Sequence, residues 1–185
     1  MPIVVVILFL AATYVPRFFV DPPQYDFLFS DQGGGAISRW SYAVDVDDQQ
    51  RVRAHALWQG SEGYRTRARL FIYEHEVGRV REIRMPLPEA PAMAEQEPQA
   101  VVRVAVDIPA LRDLIVDERR VAPDGYEFSE PEHRGRGGLG LFYSGRPAHP
   151  TISKNGAVVK IDLPHERSYY NSIRFHGWVL PTSEQ

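Results

Sequence analysis

The first twenty residues, MPIVVVILFLAATYVPRFFV, carry a single charged side chain, Arg17. Such a run needs an apolar environment, because each Å² of aliphatic surface left in water forfeits about 25 cal/mol. Ile3 to Val15 is uninterrupted by charge, and an eighteen-residue helix would measure roughly 27 Å, close to a bilayer's hydrocarbon thickness. Ile3, Val6, Leu8 and Leu10 supply the apolar body. Tyr14, Phe18 and Phe19 stand where interfacial aromatics belong, and Arg17 can snorkel to the headgroups. Asp21-Pro22-Pro23 then stops the helix and opens an extended exit.

An uncleaved membrane anchor over residues 1–20 fits these features best. A cleaved leader calls for Lys or Arg ahead of the apolar run and a small-x-small site behind it, and the sequence offers neither. A buried core element is the third reading, since the run before Pro16 is short for a span. A brief tail ahead of the span, with the whole domain behind it, is the layout of a signal anchor that exports the domain.

Residues 21–185 suit one domain with a full core. The formal charge of −3 lacks the basic surplus of a dedicated nucleic-acid binder, and no nucleic-acid partner is expected. With no cysteine, disulfides, thiolate zinc sites and cysteine nucleophiles are excluded. Charge is blocked along the chain, with residues 51–84 basic and residues 85–132 acidic, so a fold that sets the two side by side neutralises itself.

Alternation marks strands. Tyr42, Val44 and Val46 alternate with Ser41, Ala43 and Asp45; Val52, Ala54, Ala56 and Trp58 alternate with Arg51, Arg53, His55 and Leu57. In RTRARLFIYE, Thr66, Ala68, Leu70 and Ile72 share one face, with Arg65, Arg67, Arg69 and Phe71 on the other. Pairing these last two segments as a hairpin closed by QGSEG sets Trp58 opposite Tyr64 and Val52 opposite Leu70. It gathers Arg53, His55, Arg65, Arg67 and Arg69 on the far side.

Gly78 and Asn155-Gly156 mark further hairpins, and Pro123 to Gly125 a turn. Residues 86–99 read as a Pro-rich surface loop, and VVRVAV and SYYNSIRFHGWVL as strands. DIPALRDLIVDERR has helical spacing, with Asp107 as N-cap. The fold class is mainly β: antiparallel hairpins in a sandwich- or barrel-like domain, one short helix, and the N-terminal transmembrane helix. One propeller-like hairpin has no repeat, so a propeller is rejected.

Motifs for chemistry are weak. RGRGGLG satisfies the dinucleotide glycine spacing, but a strand comes after it where a helix is needed. DVDDQQ starts like a calcium loop and lacks its central glycine and distal glutamate. The histidines show no metal-ligand spacing, so neither catalytic residue, cofactor nor metal is assigned. The arginine and histidine face is the most distinctive patch, because like charges across a strand pair need compensation. Internal pairing, with acids such as Asp113, Asp117 or Glu127, is the plainer account; an anionic partner, lipid headgroup or acidic subunit, is the functional one.

PPQYDFLFS after the apolar run, PDGYEF in mid-chain and RFHGWVLP near the end give a chain that resembles uncharacterised proteobacterial proteins with one N-terminal membrane span and an exported β-rich domain. The resemblance implies a single-pass membrane protein with its bulk in the periplasm and brings no active site with it. Two functions are expected to compete. One is a membrane-anchored, non-enzymatic interaction domain, an accessory or assembly subunit contacting lipid and a protein partner. The other is a β-sandwich-like domain that binds or hydrolyses a small molecule or glycan.

Overall fold

The computed structural model describes residues 3–6, 20–31, 37–58, 65–66, 68–89, 102–130, 149–163 and 173–181. Its strands are β1 (Phe27–Asp31), β2 (Ile37–Ser38), β3 (Trp40–Val46), β4 (Val52–Trp58), β5 (Arg65–Thr66), β6 (Arg69–Glu74), β7 (Arg79–Ile83), β8 (Val102–Val106), β9 (Ile115–Asp117), β10 (Glu127–Ser129), β11 (Thr151–Lys154), β12 (Ala157–Lys160) and β13 (Ile173–Leu180). They pair antiparallel, giving a mainly β protein.

β1 sits at the centre of a five-stranded sheet ordered β7-β6-β1-β13-β9, and every one of its residues is buried. Complete burial means that both faces of this sheet are covered. On one face Phe27, Phe29, Phe71, Tyr73 and Trp178 meet Phe128, Ile152 and Ile161 from the β10-β11-β12 sheet and its flank. The aromatic contacts include Phe27 against Phe128 at 5.5 Å and Phe128 stacked on Phe175 at 4.7 Å. On the other face Leu28, Leu70, Ile72, Ile83 and Val116 meet Val44, Val52 and Ala54 from the β3-β4-β8 sheet. Trp40, Tyr42, Ala56 and Trp58 extend that second core.

The β1–β13 register slips between Leu28 and Phe29, leaving His176 as the extra residue of a bulge. Gly177 comes next with φ of +148°, and a Cβ there would stand 2.9 Å from both the Asp117 carbonyl oxygen and Val116 Cβ. Only glycine allows β9 to approach so closely. The bulge turns His176 inward, with Nε2 2.9 Å from Ser30 Oγ. Burial, reinforced by Arg174, pushes the His176 imidazole down to about 4.

Turn signals behave as the sequence suggests. Gly78 has φ of +63° between β6 and β7, Gly125 has +90°, and Asn155 and Gly156 have +48° and +82° between β11 and β12. Asp47 closes the β3–β4 turn, its Oδ1 accepting from the Gln49 and Arg51 amides at 2.9 Å each.

Two expectations are corrected. The hairpin between residues 52–58 and 64–72 does not form: β4 pairs with β3 and β8, while β6 pairs with β1 and β7. Alternation assigned the buried face of β4 properly, but it carries no information about which strand lies alongside. The one short helix is present in the DIPALRDLIVDERR segment, but as a 3-10 turn over Pro109–Leu111 alone, and its N-cap residue is Ile108, with no side-chain cap, in place of Asp107. Ile115–Asp117 is drawn instead into pairing with β13, and the Val116 amide donates to the Gln50 carbonyl at 2.8 Å. Asp107 is occupied by Arg112, whose Nε lies 2.8 Å from its Oδ1.

Candidate functional site

Of the expected basic face, the three residues whose side chains are described, Arg53, His55 and Arg69, do not share one surface. Arg53 and His55 lie on the outer side of the β3-β4-β8 sheet; Arg69 lies on β6 in the central sheet, buried. Arg65 pairs by its backbone with Ser38, and Arg67 lies outside the described residues. Where charges do gather, acids from the same sheet meet them. Asp47 accepts from Arg53 Nε at 2.9 Å, and Asp45 meets Arg103 at 2.5 Å. His55 Nδ1 sits 3.0 Å from Arg103 and 3.6 Å from Asp45. Burial lowers the His55 pKa, and Arg103 and Arg53 lower it further against the pull of Asp45. A shallow cleft of about 330 Å³ opens beside this cluster, between β4, β8 and the Pro109–Leu111 turn.

Arg69 belongs to a different chemistry. It meets Asp31 directly across the β1–β6 ladder at 3.1 Å, with side-chain exposures of 9% and 0%. Its guanidinium also lies over the Phe71 ring at 5.2 Å. This buried pair locks β1 to β6 and has no surface to offer a partner.

A second cluster escaped the sequence. Asp26, just before β1, takes both the backbone amide of His75 at 2.8 Å and its Nδ1 at 2.7 Å. The Asp26 contact engages Nδ1, so Nε2 is the ring nitrogen that Asp26 does not hold. Two shallow hollows share the pair: one lined by Gln24, Tyr25, Val179 and Leu180, the other by Glu74, Glu76 and Val77. A ring nitrogen of this kind can hydrogen-bond a ligand. No serine, threonine or cysteine lines either hollow among the described residues. The signal available in the sequence was an acid one residue ahead of a fully buried strand; its histidine partner lay too far along the chain to be paired from spacing.

The N-terminal segment supplies the third feature. Residues 3–6 are helical, and Ile3, Val4, Val5 and Val6 are 71%, 57%, 66% and 55% exposed. Leu8, Leu10, Tyr14, Arg17, Phe18 and Phe19 lie outside the described residues, and among the described residues no helix is long and apolar enough to cross a membrane. The exit from this segment is held tightly. Val20 and Tyr25 pack on the aromatic core. Tyr126 Oη donates to the Asp21 carbonyl at 2.9 Å, and the Gln24 amide donates to Asp124 Oδ2 at 2.8 Å.

Among the described residues no three acidic or histidine side chains converge as a metal site. Residues 134–140, the glycine-rich stretch, and Tyr169 and Tyr170 lie outside the described residues. Phe175 and Trp178 are core, 5.6 Å apart in an edge-on contact. Compared with protein families, curated proteins and solved structures, the chain matches none.

Proposed function

We propose that the chain is a membrane-anchored, non-enzymatic interaction domain: an accessory or assembly subunit of an envelope complex, held by residues 1–20 with its β-domain in the periplasm. The observation that carries the reading is the exposure of Ile3 to Val6 as a bare aliphatic helical turn, on a protein whose sheets have already filled both of their cores. A surface of that kind calls for lipid or a partner.

The outer face of the β3-β4-β8 sheet is the protein-facing candidate. Arg53 and Arg103 are well exposed there, at 60% and 54%, and their bonds to Asp47 and Asp45 can be exchanged for those of an acidic partner. Extraction of the full chain in mild detergent, with the mass and composition of the purified particle then measured, tests the proposal. A stoichiometric membrane protein is the expected companion. A solitary monomer contradicts the subunit reading and directs attention to the Asp26–His75 hollows as a ligand site.

A further inference from the structure

The linker between the apolar run and the domain is not free. We infer that the corner built from the exit strap (residues 20–26), the Ala122–Tyr126 turn and the β11–β12 hairpin is the membrane-facing end of the domain, resting on phospholipid headgroups with Lys154 at the phosphate level. The inference rests on the anchor reading of residues 1–20 and adds an orientation to it.

Reach decides the orientation. Phe19, the last aromatic of the apolar run, and Asp21 are two residues apart, which is about 7 Å of extended chain. Val20 between them is already seated on the aromatic core, and the Asp21 carbonyl is held by Tyr126. The strap is then tied at Gln24 by Asp124 and at Asp26 by His75, and the Asp26 carbonyl accepts from the Val179 amide at 2.8 Å. Four successive attachments leave no slack for the domain to tumble, so whatever surrounds Asp21 lies at the membrane surface.

Its surroundings are Tyr126 and, over the Tyr126 ring at 5.6 Å, the Lys154 ammonium. The Lys154 stem crosses the turn 3.7 Å from the position of a Gly125 Cβ, so this cation is carried at the corner itself. Of the chain's 21 basic residues only Lys154 and Lys160 are lysines, and the β11–β12 hairpin carries both. Val158 on the same hairpin is 58% exposed. The corner is not a basic patch, since Asp21 and Asp124 both bond Tyr126, the residue whose ring lies under Lys154. Contact is therefore imposed by the tether and not by attraction to acidic lipid, and it holds equally on neutral and anionic bilayers.

The chain has no cysteine, so single-cysteine variants can carry a nitroxide without background. Lys154→Cys and Val158→Cys report on the proposed face. Ala105→Cys, on β8 in the sheet that covers the opposite face of the central sheet, is the reference. The full chain is reconstituted into phosphatidylcholine vesicles, with and without phosphatidylglycerol, containing a nickel-chelating lipid as relaxing agent. The expected result is relaxation several-fold faster at positions 154 and 158 than at 105, in both lipid mixtures. Equal relaxation at the three positions, or faster relaxation at 105, overturns the orientation while leaving the anchor intact. Failure of the chain to enter vesicles at all removes the anchor and this inference together.

Discussion

Two residues of RFHGWVLP show how much a single position can decide. Gly177 combines a backbone angle of +148° with contacts that a methyl group would violate, so Gly177→Ala adds strain and overpacking together. The expected loss is about 2–4 kcal/mol in urea unfolding. Gly78→Ala, where the nearest atom to the new Cβ is 4.0 Å away, meets only the backbone penalty and should cost about 1 kcal/mol. A reversed order of the two would mean that the bulge is not built as described. His176 adds a pH dependence. Its folded-state pKa of about 4 lies below the ordinary histidine value of 6.5, so the unfolded chain binds the proton first as pH falls. The stability held by neutral His176 is complete above pH 6.5 and drains away toward pH 4, by about 3 kcal/mol in all. His176→Gln keeps a partner for Ser30 and cannot titrate, so wild type should lose that much more than the variant between neutral pH and pH 4 in denaturant titrations. An identical pH profile for the two would show His176 to be exposed in solution. Glycine and histidine were visible in the sequence, but the bulge that gives them meaning depends on β9, three residues whose helical spacing disguised a strand.

Among the elements, faces were legible and neighbours were not. Val52, Ala54, Ala56 and Trp58 are buried together as their alternation requires, because burial is a property of one strand. Partnership depends on the path of the chain between strands, and after Trp58 that path leaves one sheet for another. β1 showed no alternation, since a strand covered on both faces has no polar side to reveal it. The arginine face followed the mistaken pairing, and Arg69 became half of a buried ion pair with Asp31. Breaking that pair from one side takes away a close charge partner inside the fold: Arg69→Met or Asp31→Leu alone should cost about 3–5 kcal/mol. The double variant, leaving two apolar side chains, should recover most of the loss in the same unfolding assay. Additive losses would mean that the two side chains do not act as a pair.

At the scale of the whole molecule, a central sheet sandwiched between two smaller ones fills both of its cores from the strands themselves, and the strap ties the apolar N-terminus to one corner. The anchor is the reading on which partner, location and orientation all depend. Its most direct test is flotation of the full chain with lipid vesicles and then alkaline carbonate extraction, beside a Leu8→Asp/Leu10→Asp variant. Each aspartate near the middle of a span costs about 3 kcal/mol of insertion free energy. Wild type is expected to float and resist carbonate, while the variant stays at the bottom of the gradient with an unchanged β-type circular dichroism spectrum. A wild-type chain that stays at the bottom, or a variant that loses its β-structure, would instead place residues 1–20 outside the membrane.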